Sequence, residues 1–527
     1  MTKTIAQLLV TSVLLLSVTP IQQAHAKTMN DVVFDINKFE ISGNTLLATS
    51  TLDTLLAPFV GKNRDFDTIE QAMAALEAAF HQRGFKLTKI VLPEQELKDG
   101  VVHFRLETST IAKVIISGNQ TFDDANIRRS LPTLVEGAVP NMDALSASIH
   151  FANEHPARII TMKLKSAEDA NAVDVTLDVN ERSPWRFNVA ADNAGYASSG
   201  RTNLHVALQH ANVWGKDHLV SVQYATSAEK PNQLSIYGGS YHVPLYASRS
   251  SLDFYANYSD VDSGTVVSGL LNFGITGKGS IVGVRYNTGL SDAPDSAAKL
   301  SLGLDVKKFK SEMLLSGFDL GNEAVVRPLS INYLNQWPLS EGVINLSLSA
   351  IQNIPGTHGQ QDDFAKVRIG ASAQFSVLRY TFAYNRSFAS ELLMRAEVSG
   401  QYTRNALIPG EQFGAGGANS VRGFTERVIA NDSGASVNAE LYSPNFCSNQ
   451  SQWNCRMLGF YDAAYVRRNM ALPGELTSDA ISSTGFGWRF VLSNKLALQI
   501  DYGHVLKESK FGNQDKNRVH ARANFSY

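Results

Sequence analysis

The chain has 527 residues, 47 basic side chains against 49 acidic ones and a net charge of −2. That length suggests more than one domain, and the near-neutral balance leaves no broad basic field for nucleic acid. Two cysteines, Cys447 and Cys455, are too few for a structural zinc site; eight positions apart near a turn, they read as a local disulfide of an oxidising compartment or as a pair of inert thiols.

The chain begins with Lys3, the apolar run LLVTSVLLLSV at 8–18 and the small-residue pattern Ala24-His25-Ala26. This is the layout of a secretory signal peptide over residues 1–26, too short to span a bilayer. No later segment approaches the roughly 18 uninterrupted apolar residues of a membrane helix. An exported soluble protein and a transmembrane β-barrel remain.

An internal repeat follows. KFEISGN at 38–44 recurs as KVIISGN at 113–119, each reading as a strand that ends in a Ser-Gly-Asn turn. In the first copy TLDTLLAPF predicts a short helix. DTIEQAMAALEAAFHQRG predicts a longer one, with Asp67 as N-cap, Glu70 at the capping-box spacing and Gly84 as the stop. FKLTKIVLP and VVHFRLE close the unit as strands. The second copy repeats the order with NIRRSLPTL, MDALSASIHFANE, ARIITMKLK and AVDVTLDVN. Two α+β modules of order β-α-α-β-β are expected, at 34–109 and 110–181.

From Trp185 helical periodicity stops, and alternating strands separated by Gly, Ser, Asn and Asp run to the end. Strands fall near 185–196, 202–213, 218–228, 233–243, 250–259, 280–289, 298–310, 326–337, 342–352, 364–378, 391–402, 434–443, 456–467, 480–491, 495–505 and 517–527. An even number closes an antiparallel barrel with both ends on one side and removes the edges lipid would not tolerate. The expected all-β part is therefore a 16-stranded antiparallel transmembrane barrel over 185–527. Short connections such as WGKD, YASR and SNK mark the periplasmic side; the long ones, 259–279, 403–433 and 506–516, mark the cell surface. Trp185, Tyr196, Trp214, Tyr241, Trp488 and Tyr502 lie near strand ends, as interfacial aromatics do, and the last strand ends on Tyr527. A soluble β-sandwich or β-helix is the alternative for this half.

No nucleophile, metal or phosphate motif stands out, and the twelve histidines are scattered, with His205, His210 and His218 in strands. No catalytic residue, metal or cofactor is expected, and an enzymatic role is not. The unusual segment is RNALIPGEQFGAGGANSVRGFTERVIANDSG, about thirty residues without a predicted element, a length that signals function or disorder. Val421 and Phe424 argue against disorder. Asp462 sits inside the mainly apolar run GFYDAAYV. If the loop folds inward, Asp462 could take the Arg422 guanidinium in a bidentate pair; otherwise Arg422 is an exposed loop residue and Asp462 an unrelated lumen aspartate.

These segments resemble the two-partner secretion transporters (TpsB proteins), which include the haemolysin and filamentous-haemagglutinin secretion proteins and share a superfamily with the barrel-assembly protein BamA. LPEQELKDG at 92–100, with Leu92, Pro93, Gln95 and Gly100, is similar to the first polypeptide-transport-associated (POTRA) module of that family. DNAGYASSGRTNLHVALQHANVWGKDHL resembles its opening barrel hairpin, and GEQFGAGGANSVRGFTERVIANDSGASVNAELYSP followed by GFYDAAYV its inward loop. The resemblance implies a plug tip at Val421, Arg422, Gly423 and Phe424, an Arg422–Asp462 pair, and POTRA modules that bind a client. It further implies an outer-membrane pore, its modules in the periplasm, that secretes one large unfolded exoprotein (TpsA-like), in contact with outer-membrane lipid and without nucleic acid. The alternatives are an assembly factor of the BamA or TamA type, which typically carries more POTRA modules, and a general diffusion porin, which has no need of the repeated domain. The chain departs from the family in two places. Only residues 27–33 precede the first module, where a pore-plugging helix is common, so the loop is expected to be the main obstruction; Asn431 stands where the family has glycine.

Overall fold

The computed structural model describes residues 33–43, 46–169, 171–261, 278–290, 298–310, 323–447, 452–510 and 515–527, with short pieces at 265–266, 275–276, 314–315 and 318–319. The signal-peptide reading and most of 27–33 lie outside them. One compact unit ends at Thr108, and Ser109–Tyr527 form another.

The first module contains β1 (Phe34–Ile36), β2 (Lys38–Ser42), α1 (Thr49–Leu56), β3 (Gly61–Arg64), α2 (Phe66–Gln82), β4 (Thr88–Val91) and β5 (Val101–Thr108). Its sheet has the order β2-β5-β4, β2 parallel and β4 antiparallel to the central strand, and β1 pairs separately with β3. The β1–β3 pair adds to the predicted order, its strands being too short for periodicity to reveal. The N-cap of α2 is Asp65, which accepts from the Thr68 amide at 2.9 Å; Asp67, the predicted cap, lies in the first turn. Helix α2 buries Ile69, Ala72, Leu76 and Phe80 against Phe39, Val102 and Phe104. Each such large apolar side chain contributes about 1.5–3 kcal/mol by leaving water.

The second module has β6 (Thr110–Ser117), α3 (Asp124–Ser130), α4 (Met142–Ala152), β7 (Arg158–Ser166) and β8 (Ala172–Glu181), with sheet order β6-β8-β7. Asp123 and Asn141 cap its two helices through the amides of Asn126 and Ala144.

The barrel strands are β9 (Trp185–Asp192), β10 (Asn203–Val213), β11 (His218–Ser227), β12 (Leu234–Leu245), β13 (Ser250–Val261), β14 (Lys278–Gly289), β15 (Lys299–Lys310), β16, which is broken at Arg327 into Glu323–Val326 and Pro328–Leu339, β17 (Gly342–Asn353), β18 (Ser376–Ser387), β19 (Leu393–Tyr402), β20 (Ser433–Tyr442), β21 (Trp453–Arg467), β22 (Ser478–Leu492), β23 (Leu496–Lys507) and β24 (Asn517–Ser526). All sixteen pair antiparallel with their neighbours, and β24 closes on β9 in the register Arg522↔Asp192 to Ser526↔Asn188. Alternation sets the two faces. On β15, Leu302, Leu304 and Val306 are each nearly half exposed on the outer face, while Ser301 and Asp305 are buried on the inner one. Exposed rows of that kind are tolerated because lipid, not water, meets them.

Two expectations are corrected. The strand predicted at 364–378 is absent; α5 (Gln361–Val367) occupies its start, with a capping box between Gln360 and Asp363, and the strand begins at Ser376. The acidic pair Asp362-Asp363 at a helix start was the overlooked signal. Tyr196, grouped with the interfacial aromatics, is partly buried and donates its hydroxyl to the Glu426 carbonyl of the long loop.

Candidate functional site

The long loop after β19 turns into the barrel. It begins with a one-turn helix, Pro409–Glu411, and forms a short hairpin of Phe413–Ala415 with Ile429–Asn431, which supports the tip between them. At the tip Gly417 donates to the Val421 carbonyl at 3.1 Å, Ser420 to the Gly417 carbonyl at 3.2 Å and Ala418 to Glu426 Oε1 at 2.8 Å. These bonds give a loop of small residues a fixed shape.

Arg422 is buried. Its Nε donates to Asp462 Oδ2 at 2.7 Å and its Nη2 to Asp462 Oδ1 at 2.8 Å; its own amide adds a third bond to Oδ2 at 3.1 Å. Nη1 lies 2.7 Å from Glu440 Oε1 and 3.6 Å from Asp501 Oδ1, and the guanidinium sits 3.6 Å from the centroid of the Phe460 ring. Asn438 donates to Asp462 Oδ1 at 2.9 Å and also to the Ser420 carbonyl. One arginine thus meets three carboxylates carried by β20, β21 and β23. Its planar fork satisfies one bidentately, while the ring covers its face.

The apolar neighbours of Arg422 dock beside it. Val421 and Phe424 are fully buried against Ala464, Val466, Ile481 and Val505, an apolar patch on the inner face of β21, β22 and β23. Gly423 has φ +93°, a backbone that favours glycine, and its amide donates to His520 Nε2 at 3.0 Å. Gly503 is the matching gap in the wall: a Cβ there would stand 2.5 Å from the Gly423 nitrogen and 2.8 Å from the Arg422 carbonyl carbon. Gly503→Ala is therefore expected to push the tip off the wall at a cost of about 1–3 kcal/mol. Amide exchange across 420–424 would quicken while the far-ultraviolet circular dichroism of the barrel stays unchanged; unaltered exchange there would refute the close fit.

The base of the loop is held by two further buried carboxylates, each paired with a base, that sequence inspection passes over. Glu411 lies 2.8 Å from Lys307 Nζ and 3.2 Å from Arg379 Nη2. Asp432, directly after Asn431, takes the Arg368 guanidinium bidentately and accepts from the amides of Leu407 at 2.8 Å and Asn469 at 2.7 Å. Arg368 follows α5, whose Phe364 belongs to an apolar cluster with Phe375, Leu407 and Ile408, so the surface loop 354–375 covers this base. Glu411 and Asp432, in the loop, and Glu440 and Asp501, on the wall, are single acidic residues at unremarkable positions, and only strand register shows that the last two face the loop.

The second module is joined to the barrel by another buried network. Asp217, in the β10–β11 turn, accepts from Arg158 Nη1 at 2.5 Å, Asn126 Nδ2 at 2.7 Å and the Tyr246 hydroxyl at 2.7 Å. Arg158 also donates to Asn126 Oδ1 at 2.8 Å and stands 5.2 Å from the Phe122 ring centroid. Ala211 and Tyr246 of the barrel belong to the module's own core, with Phe122, Ile127, Leu131 and Ile160. His155 donates from Nε2 to the Ala211 carbonyl at 2.5 Å and accepts at Nδ1 from the Ala157 amide at 3.3 Å, the pattern of a neutral ring. Burial, then the charge of Arg158, pushes its pKa down to about 4, against the opposing pull of Asp217. The unfolded module binds the extra proton between that value and the ordinary histidine range, so stability rises with pH across the window. Lowering the pH from about 6.5 to 4 should weaken the joint by at most about 3 kcal/mol, and His155→Gln should flatten the dependence. Thermal melts of both proteins across that window check it; parallel curves would count against His155.

The residues at 92–100 are used within the first module. Leu92 packs on its core. Gln95 donates to the His103 carbonyl at 2.8 Å and accepts from its amide at 2.7 Å, completing the β5 ladder beyond the reach of β4. The Pro93 carbonyl accepts a 3.3 Å bond from Gln95 Nε2. Gly100 has φ +67°, and its carbonyl accepts from the Asn37 amide at 2.7 Å. Cys447 and Cys455 are joined by a disulfide beside the β20–β21 turn. Among the described residues no three His, Cys, Asp or Glu side chains converge as a metal site would require.

A closed barrel with a loop docked in its lumen and an α+β module fused to its rim defines an outer-membrane transporter. Residues 171–490 match the family of haemolysin secretion/activation proteins ShlB/FhaC/HecB, residues 34–107 the ShlB-type POTRA domain, and residues 109–182 the POTRA family described as surface antigen variable number repeat. The chain belongs to the haemolysin secretion/activation family, the two-partner secretion transporters, and its POTRA domains are periplasmic. It is 24% identical over 452 residues to the outer membrane transporter CdiB of Dickeya dadantii (strain 3937), covering 81% of this chain and 74% of that one. It is 22% identical over 414 residues to the hemolysin transporter protein HpmB of Proteus mirabilis, covering 75% and 69%. In fold it matches CdiB from Escherichia coli with a TM-score of 0.75 at 19% identity, over 97% of this chain and 93% of that one. BamA from Haemophilus ducreyi lacking its POTRA domains 1–3 matches with 0.54 at 16% identity, over 94% and 100%.

Proposed function

We propose that the chain captures one large unfolded exoprotein with residues 34–181, threads it through the barrel and releases it to fold outside the cell. The docked Arg422 loop carries this reading: a lumen narrowed by a loop held in a specific, three-carboxylate dock suits a conduit for one extended chain better than an open diffusion pore. The β-sheet edges of the two modules can take an extended segment by main-chain pairing, which needs little sequence specificity. In the first module, Gln95 and Gly100 would act by shaping the segment beside β5. No covalent step and no nucleic acid enter the reading. Folding on the far side, a few kcal/mol downhill per domain, supplies direction.

Quantitative mass spectrometry of the medium and outer membrane, comparing a deletion strain with one restored by the intact chain, tests it. Loss of one large protein from surface and medium, with other barrels unchanged, is the expected result. A broad fall in many outer-membrane barrels would instead assign an assembly role of the BamA kind.

A further inference from the structure

The lumen has two unlike sides. Around the plug it is charged: a cavity of about 240 Å³ there is bordered by Arg395, Glu397, Arg422, Glu440, Arg489 and Asp501. The other side carries a belt without charge. Ser251 of β13 stands opposite Asn287 of β14, Asn287 opposite Ser301 of β15, Ser301 opposite Asn332 of β16, and Asn332 opposite Ser349 of β17. Five successive strands therefore present hydroxyl or carboxamide groups at one level; β18 brings Arg379 opposite Ser349, paired with Glu411 at 3.2 Å, and further along the same inner faces Arg285 is paired with Asp305 at 2.6 Å and Asp253 with His242 at 2.6 Å. A cavity of about 770 Å³ opens at their periplasmic end, between Ser251, Asn287, Ser347 and Thr381 on the wall and Ala147 and Phe151 of α4. Lys299 and Glu154, 2.7 Å apart, bracket it. Further along β13, Asn257 is buried with neither amide atom partnered among the described residues, and Gln223 Oε1, across Gly238 in register, is likewise unpaired.

Hydroxyls and carboxamides both donate and accept, so they meet a peptide backbone whatever its side chains. A belt without charge, beside charges already closed in pairs, neither holds nor repels acidic and basic stretches strongly, and binding must stay weak for conduction. Resting on the export reading above, we propose that the exported chain enters beneath α4 and moves in extended form across the polar belt of β13–β17, on the side of the lumen away from the plug, with the Arg422 loop docked throughout. The plug is then a fixed partition, not a stopper that leaves.

The test uses the full chain in the outer membrane and the exoprotein whose export the deletion abolishes. Ala418 and Gln499 both border the smaller cavity, one on the loop and one on the inner face of β23; cysteines there, joined by a short bifunctional thiol-reactive linker, hold the loop to the wall. Export is expected to stay within about twofold of the unlinked protein, whereas coupling a bulky thiol reagent to Ser349→Cys should lower it about tenfold or more relative to the same protein unmodified. The two native cysteines are disulfide-bonded and leave the labelling selective. Export halted by the linker, or unaffected by the bulky group, would overturn the route. Failure of the unmodified wild-type chain to restore any single exoprotein would instead count against the export reading. Potassium chloride currents across planar bilayers carry the same comparison with no exoprotein present: block at position 349 but not by the linker supports the route, and the reverse overturns it.

Discussion

Arg422→Ala is expected to release the loop tip and lower export at least about tenfold while the barrel still assembles. The substitution leaves Asp462 fully buried and removes a cation from Glu440 and Asp501 as well. Asn438 still serves Asp462, and Arg489 still serves Asp501 at 2.9 Å, but neither replaces the fork. Removing one member of a buried pair costs about 3–5 kcal/mol because its partner keeps an uncompensated charge. That cost falls on the docked loop, since strand closure depends on main-chain ladders that Arg422 does not enter. The freed tip, with Val421 and Phe424 exposed, would occupy the space a client needs. Arg422→Lys keeps the charge but loses the planar bidentate contact, and should fall between. Protease sensitivity of 416–427, export and heat-modifiable gel migration read the three consequences separately. Wild-type export with an undocked loop would remove the loop from the mechanism.

The barrel was legible because alternation is written into each strand: Leu302, Leu304 and Val306 against Ser301, Gly303 and Asp305 need no tertiary knowledge to place. The segment at 364–378 misled because FAKVRIGASAQFSVL also alternates in part, and the capping box that makes a helix of 361–367 outweighs that weak pattern. The loop tip announced itself through bulky residues in a small-residue setting, and the aspartate through its apolar surroundings. The remainder of the dock was hidden for a physical reason. Glu440, Asp501 and His520 reach Arg422 and Gly423 from β20, β23 and β24, and only barrel curvature brings those strands around one point. Asp217 was hidden in the same way, in a turn whose WGKD sequence reads only as a tight connection.

Asp217→Ala is the second substitution from which a large effect is expected. Asp217 takes hydrogen bonds from Arg158, Asn126 and Tyr246, and all but one exposed per cent of its side chain lies inside the joint. Its loss strands Arg158, whose side chain is fully buried, at a cost of about 3–5 kcal/mol. The second module should loosen from the rim: amide exchange around 152–160 would quicken and export would fall, with the barrel still heat-modifiable. A charge-preserving ion pair and a rigid weld predict different results for the double variant Arg158→Met/Asp217→Leu. Apolar side chains of similar volume often replace a buried pair without loss, or with a gain of about 1–4 kcal/mol. If the double variant regains slow exchange and export while Asp217→Ala does not, the network serves by fixing the module over the lumen mouth, where α4 borders the larger cavity. If it regains slow exchange but not export, the charges themselves act on the passing chain.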